Sequence, residues 1–235
     1  MTERLVLLPG WSYPAAVLQP LAQALHGAAL RVELAELPVL DDPQGWLDEL
    51  DARLPGDCWL GGWSLGGMLA TALAARRAKA CRGLITLASN ACFVQRDDWP
   101  AAMPAAQFAD FREGLVAAPA ATLKRFDLLA VRDADEPRAL VRRLAVRAEA
   151  PAGLLAGLDC LASLDLRPAL GEWRGPRLHL FGDRDALVPV QAAQALREPY
   201  PDSSVAQLDA SHALPLSHAD QAAAAILSFI KEASR

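Results

Sequence analysis

Histidine is scarce in this chain, and His26, His179, His212 and His218 neither cluster nor alternate with cysteine at a metal-binding spacing. A Walker A loop and a dinucleotide glycine fingerprint are also missing, so no cofactor is expected. The four cysteines, Cys58, Cys81, Cys92 and Cys160, are scattered through apolar surroundings, which implies reduced, buried thiols and not a disulfide framework. No apolar run is long enough to span a bilayer, and no secretory signal pattern precedes the first strand-like segment, so a cytoplasmic location is expected. Positive charge does not dominate either. A formal net charge of -5 and a pI near 5.4 argue against a general nucleic-acid or membrane-surface binder.

What the chain does have is apolar mass: 53% of its 235 residues are hydrophobic, enough for one α/β domain with a substantial core and an insertion. Strand-like runs at Leu5, 30–34, 57–60 and 83–88 alternate with helical periodicities at 15–25, 44–54 and 68–75, the pattern of a parallel, doubly wound sheet. The alternation breaks at about residue 90 and resumes at Arg177. Between them, helices are expected near 104–117, 119–131, 136–148 and 152–164, with proline at or near three of the starts. The expected organisation is a core of 1–89 and 176–235 with an all-helical lid over about 90–175.

The run Gly62-Trp63-Ser64-Leu65-Gly66 is a Gly-x-Ser-x-Gly elbow, placed between a short buried strand and a helix. In such a turn the serine hydroxyl projects from the top of the sheet, and crowding leaves room only for glycine on either side. An acid and a histidine should follow in that order. Asp185 lies three residues after the strand-ending Gly182, as the fold requires; Asp183, the rival, suits a turn carboxylate bonding local amides. His212 falls in a loop between a strand-like segment, 204–208, and the last helix. His218 competes with it, but its place at a helix start suits capping. Ser64, His212 and Asp185 would then be nucleophile, base and orienting acid of an acyl-transfer hydrolase. The backbone amides of Leu65 and of Trp11, in the loop after the first strand, would form the oxyanion hole, with the Trp11 indole walling the acyl pocket.

From 123 to 149 the chain carries Lys124, Arg125, Arg132, Arg138, Arg142, Arg143 and Arg147 against Asp127, Asp133, Asp135, Glu136 and Glu149, a balance of 7 minus 5, or +2. Arg138 and Arg142 share a helical face. An ordinary solvated face with internal ion pairs is the first account of this pattern, and a docking surface for an acidic partner is the second.

The segments Leu5-Val6-Leu7-Leu8-Pro9-Gly10-Trp11, Gly62 to Gly67, Ala91-Cys92-Phe93-Val94-Gln95-Arg96-Asp97-Asp98-Trp99-Pro100, Leu164 to Arg167, Gly182 to Pro189 and Ser211-His212-Ala213 together resemble the pimeloyl-acyl-carrier-protein methyl ester esterases of biotin synthesis (BioH), which have the α/β-hydrolase fold. The hydrolase motifs are shared with many esterases, whereas the Cys92 to Pro100 stretch is far more specific. The resemblance implies the same triad and oxyanion hole and places Trp11, Trp63 and Phe126 beside the substrate. It also gives Arg125, Arg138 and Arg142 contacts with the carrier protein. Pro9-Gly10 stands where the family usually has His-Gly, and Ala121 and Ala134 stand near two family arginines. The chain opens at the third-strand position, without the first strands common in such hydrolases. The expectation is therefore a monomeric serine carboxylesterase acting on the methyl ester of pimeloyl-acyl-carrier protein. A general short-chain carboxylesterase or thioesterase is the alternative, and a hydrolase-like lyase or binding protein is the second.

Overall fold

The computed structural model describes residues 3–27, 30–145 and 153–235. Arg147, Glu149, the end of the helix expected over 136–148 and the first residue of that expected over 152–164 lie outside the described residues. Six strands, β1 (Glu3–Leu8), β2 (Leu30–Leu34), β3 (Cys58–Trp63), β4 (Cys81–Leu87), β5 (Arg177–Gly182) and β6 (Ser204–Leu208), form one sheet in the order β2-β1-β3-β4-β5-β6, and all five pairings are parallel. Every residue of β3 and β5 is buried, while β2 and β6 at the edges are half-exposed. That is why the central strands read as unbroken apolar runs: helices cover both faces of a parallel sheet.

The crossover helices are α1 (Gln19–Ala24), α2 (Pro43–Arg53) and α3 (Leu65–Arg77). The helix expected over 15–25 is split into a 3-10 turn, Ala15–Leu18, and α1. Pro20 lies in the first turn of α1, where its missing N–H costs nothing, and so marks a fresh helix start. Asp42 caps α2 by accepting from the Gln44 amide (3.1 Å), with Pro43 at the first helical position.

Between β4 and β5 the chain forms α4 (Ala105–Ala117), α5 (Pro119–Ala130), α6 (Pro137–Leu144), α7 (Leu154–Ser163) and α8 (Arg167–Glu172); α9 (Gln191–Arg197), α10 (Leu214–Ser217) and α11 (Ala219–Ala233) complete the fold. The insertion also contains two isolated β-bridges, Val94 with Met103 and Arg96 with Trp99, so it carries a short bridged loop beside its helices. The one-turn elements α8 and α10 were not expected, although Pro168 and Pro215 in their first turns are the signal for them. No helix among the described residues is long and apolar enough to cross a membrane.

The Cys92 to Pro100 stretch forms the bridged loop, and polar groups in and beside it tie the start of the insertion to its later part at 163–167. Asn90 accepts from the Trp99 indole (3.1 Å) and donates to the Ala101 carbonyl (2.8 Å). The Arg167 guanidinium lies 5.8 Å from the Trp99 ring centroid and bonds Asp98 (2.7 Å) and Asp165 (2.6 Å). Arg96 donates to the Ser163 carbonyl (3.1 Å).

The Arg167 guanidinium holds the Asp165 carboxyl well below the usual carboxylate range. A carboxyl depressed in the folded state stabilises fully above its unfolded value, about 4; that stabilisation declines as pH falls below this value and is gone only below the lower folded one. Arg167→Ala is therefore expected to lower stability at pH 7 by about 1–3 kcal/mol. Urea midpoints at pH 7 and pH 3 check this: the gap from wild type should narrow at pH 3, and an equal gap at both would contradict it.

Candidate active site

Ser64 joins β3 directly to α3 and has φ 54° and ψ -119°, a strained conformation for a residue with a side chain. Its neighbours show what permits it. A Cβ on Gly62 would overlap the Gly66 carbonyl, and one on Gly66 would overlap the carbonyl oxygens of Leu8 and Pro9. Ser64 is held from both sides, its amide donating to the Leu87 carbonyl (2.9 Å) and its carbonyl accepting from Ser89 Oγ (2.8 Å). As the first residue of α3, Leu65 has an N–H with no intrahelical acceptor.

Asp185 lies three residues beyond β5 and His212 four beyond β6, both at the carboxyl edge of the sheet where Ser64 emerges. His212 Nδ1 and Asp185 Oδ2 are 2.8 Å apart, and both side chains are buried. Asp185 Oδ1 accepts from the Leu187 and Val188 amides (2.8 and 2.9 Å), so both carboxylate oxygens are engaged. His212 Nε2 is buried and makes no hydrogen bond, leaving that nitrogen as the available proton acceptor. The Trp63 indole donates to the His212 carbonyl (2.8 Å), with the rings 5.5 Å apart, which ties the residue before Ser64 to the histidine loop.

The rival residues sit elsewhere. Asp183 is exposed and accepts from Gln207 (3.1 Å); His218 occupies the N-cap position of α11 without a side-chain capping bond, its Nδ1 2.8 Å from Ser217 Oγ. His26 is exposed. His179 is buried in β5 with Nδ1 2.7 Å from Thr86 Oγ1, and burial, reinforced by Arg177, pushes its pKa down to about 3. The four cysteines are free and buried; burial raises the thiols of Cys81 and Cys92 to about 11 and that of Cys160 to about 12, which leaves them protonated and unreactive.

The loop after β1 carries Trp11, whose indole donates to the Leu154 carbonyl at the start of α7 (2.8 Å). Trp11 meets Phe111 of α4 and Phe126 of α5 edge-on, at 5.6 and 5.0 Å, while Tyr13 stacks on Trp63 at 5.0 Å. Trp11 and Phe126 are thus in contact, and Trp63 joins them through Tyr13. Tyr13 and Phe111 were not foreseen, since their partners are distant in sequence. Beside them Phe93, Phe108, Phe111, Phe126, Leu158 and Leu187 help to line an apolar cavity of about 20 Å³, room on the scale of a single water. Arg125 borders the same cavity.

Arg125 on α5 and Arg138 and Arg142 on α6 are exposed and form no ion pair among the described residues. Two of the acids that balance them by composition are occupied elsewhere: Asp127 is buried against Tyr13, and Asp135 pairs with Arg184 (2.9 Å).

A parallel sheet with an elbow serine, and an Asp–His pair on the loops after two later strands, defines the α/β-hydrolase class. The family model described as "Alpha/beta hydrolase family" matches residues 5–225. Among solved structures, an esterase from Exiguobacterium antarcticum superposes with a TM-score of 0.84 at 18% identity, covering 97% of this chain and 92% of that one. A bromoperoxidase from Bacillus anthracis gives 0.83 at 20% identity, covering 98% and 92%; likeness at this level shows the fold alone. The pimeloyl-[acyl-carrier protein] methyl ester esterase of Aeromonas hydrophila is 38% identical over 233 residues, 92% of this chain and 91% of that protein. That of Aromatoleum aromaticum is 37% identical over 240 residues, 94% and 96%. Within the α/β hydrolases, the chain belongs to the family of pimeloyl-[acyl-carrier protein] methyl ester esterases.

The glycines around Ser64 give a direct check on the elbow. Gly66→Ala drives a methyl group onto two main-chain carbonyls, and a loss of about 1–3 kcal/mol in urea unfolding is expected, with reduced labelling of Ser64 by a fluorophosphonate. Wild-type stability together with wild-type labelling would contradict the close approach.

Proposed function

We propose that this chain hydrolyses the methyl ester of a pimeloyl chain carried on acyl carrier protein, leaving a free carboxylate on the carrier-bound chain. The observation that carries the proposal is the buried Asp185–His212 pair, with Nε2 of His212 uncommitted, tied through Trp63 to the elbow serine in a member of this family. In the proposed mechanism Ser64 Oγ attacks the ester carbonyl carbon while His212 Nε2 takes the hydroxyl proton, and Asp185 holds the imidazole and stabilises its charged form. The oxyanion is met by the Leu65 and Trp11 amides. Collapse expels methanol, which takes the proton from His212. A water, deprotonated by His212, then cleaves the acyl-enzyme to the carboxylate and restores Ser64. Side chains and backbone supply every group in this sequence, so no cofactor is called for.

Helices α4 to α8 act in this proposal as a lid on a single-domain, monomeric, cytoplasmic enzyme. The exposed Arg125, Arg138 and Arg142 offer the carrier protein's acidic surface a docking face, with the effect expected mainly on encounter rate and KM.

Ser64→Ala is expected to lower kcat by at least about 10,000-fold while leaving the unfolding midpoint near wild type. Reversing Arg125, Arg138 and Arg142 to glutamate should raise KM about ten-fold for the carrier-bound methyl ester, an effect of about 1.4 kcal/mol that salt reduces. Steady-state kinetics on the carrier-bound ester and on p-nitrophenyl esters separate the outcomes. Equal losses on both substrates, or better turnover of the small esters by wild type, would favour a general carboxylesterase.

A further inference from the structure

Asp127 is a buried carboxylate that the proposed mechanism leaves unused, at 5% exposure on α5. Burying a carboxylate is costly unless hydrogen bonds compensate it, and aspartate is a poor helix former, so neither solvation nor helix propensity accounts for its place. Its side chain meets the loop after β1: Tyr13 Oη donates to Asp127 Oδ1 at 2.8 Å.

Tyr13 stands at a junction. Its amide donates to the Gly10 carbonyl (3.3 Å), closing the turn that encloses Trp11 and Ser12, and Ser12 within that turn has φ 68°. Its ring stacks on Trp63, the residue before the nucleophile, at 5.0 Å and 17°, and on Phe126, the residue before Asp127, at 5.9 Å and 29°. One side chain therefore touches the elbow strand, the loop that presents the Trp11 amide, and helix α5. Stacking fixes the plane of the ring but leaves it able to slide, whereas a hydrogen bond to a helix-borne carboxylate fixes its position along that plane. The Trp11 indole bond to Leu154 holds that residue's side chain, not its amide.

We infer that Tyr13 and Asp127 are positioning residues for ester hydrolysis, their hydrogen bond holding the Trp11 amide where the oxyanion forms and making that geometry depend on α5 being seated. The inference rests on the ester-hydrolase proposal above and on the role given there to the Trp11 amide. An oxyanion donor acts chiefly in the transition state, so its displacement lowers kcat and spares KM. A shift well short of losing the donor fits a loss of about ten-fold, below the hundred-fold or more of deleting one.

The test uses the full chain and p-nitrophenyl esters, with a trifluoromethyl ketone bearing a seven-carbon acyl chain as the tetrahedral mimic. Tyr13→Phe keeps the ring and removes the donor; kcat should fall about ten-fold with KM within two-fold, and the ketone should bind about ten-fold more weakly. Asp127→Leu should match that loss, Asp127→Asn, which still offers an acceptor, should recover most of it, and combining Tyr13→Phe with Asp127→Leu should add little further. Wild-type kcat in Tyr13→Phe, a loss confined to KM, or a lowered melting temperature with unchanged kcat would each overturn the positioning role. Absence of Ser64-dependent turnover in the wild-type chain would overturn the hydrolase proposal and this one with it, and is told apart by the Ser64→Ala control.

Discussion

The approach of bare backbone at Gly62 and Gly66 is the constraint on which the rest of the site depends. Only without side chains there can α3 start immediately after β3, with the Gly66 backbone against the carbonyls of Leu8 and Pro9. That contact brings the end of β1, and hence the loop carrying Trp11, against the helix N-terminus that carries the Leu65 amide. The strain at Ser64 is held by bonds from neighbouring segments, the Leu87 carbonyl and the Ser89 hydroxyl, together with the Gly67 and Met68 amides of α3 on its carbonyl. Such over-determination is what lets a disfavoured conformation persist at a reactive centre.

The insertion depends on the same edge of the sheet through a second set of contacts. Arg184, just past β5, donates to the carbonyls of Asp133 and Asp209 at 2.8 and 2.6 Å, joining the α5–α6 connection to the loop that leads to His212. The Ala213 amide, next to His212, donates to the Ala130 carbonyl at the end of α5 (3.1 Å). With the Arg167 clip at the other side, the insertion is anchored at both flanks, and the aromatic cluster of Trp11, Tyr13, Phe111 and Phe126 fills the space between them.

How much of this was legible in the sequence differs residue by residue. Ser64, Asp185 and His212 could be read because each sits at a fixed offset from a strand end, and strand ends are marked by local apolar runs and turn residues. Asp183 was separable from Asp185 on the same ground, and the 2.8 Å contact with His212 agrees with that choice. Tyr13 and Asp127 could not be read, because their 114-residue separation leaves no local signal and a lone aspartate on a helix looks solvated. The Cys92 to Pro100 stretch is legible in another way. It is specific enough to suggest a family, while within it Asp98 and Trp99 are engaged in holding Arg167. A motif's specificity reports that its residues are constrained, and packing constrains as tightly as chemistry does.

The cavity size gives the aromatic cluster a consequence for substrate choice. Room of about 20 Å³ is far less than a seven-carbon acyl chain occupies, so on the proposed function a chain entering this cavity parts α4 and α5 at Phe108, Phe111 and Phe126. Parting them exposes apolar surface, and the chain's own methylenes return about 0.8 kcal/mol each on burial, near 4 kcal/mol for the five of a pimeloyl group. A short acyl group returns much less and leaves the parted walls partly bare. On the proposed function the closed cluster thus favours a longer acyl chain over a short one, and Tyr13 and Phe126 belong both to that cluster and to the contacts around Ser64.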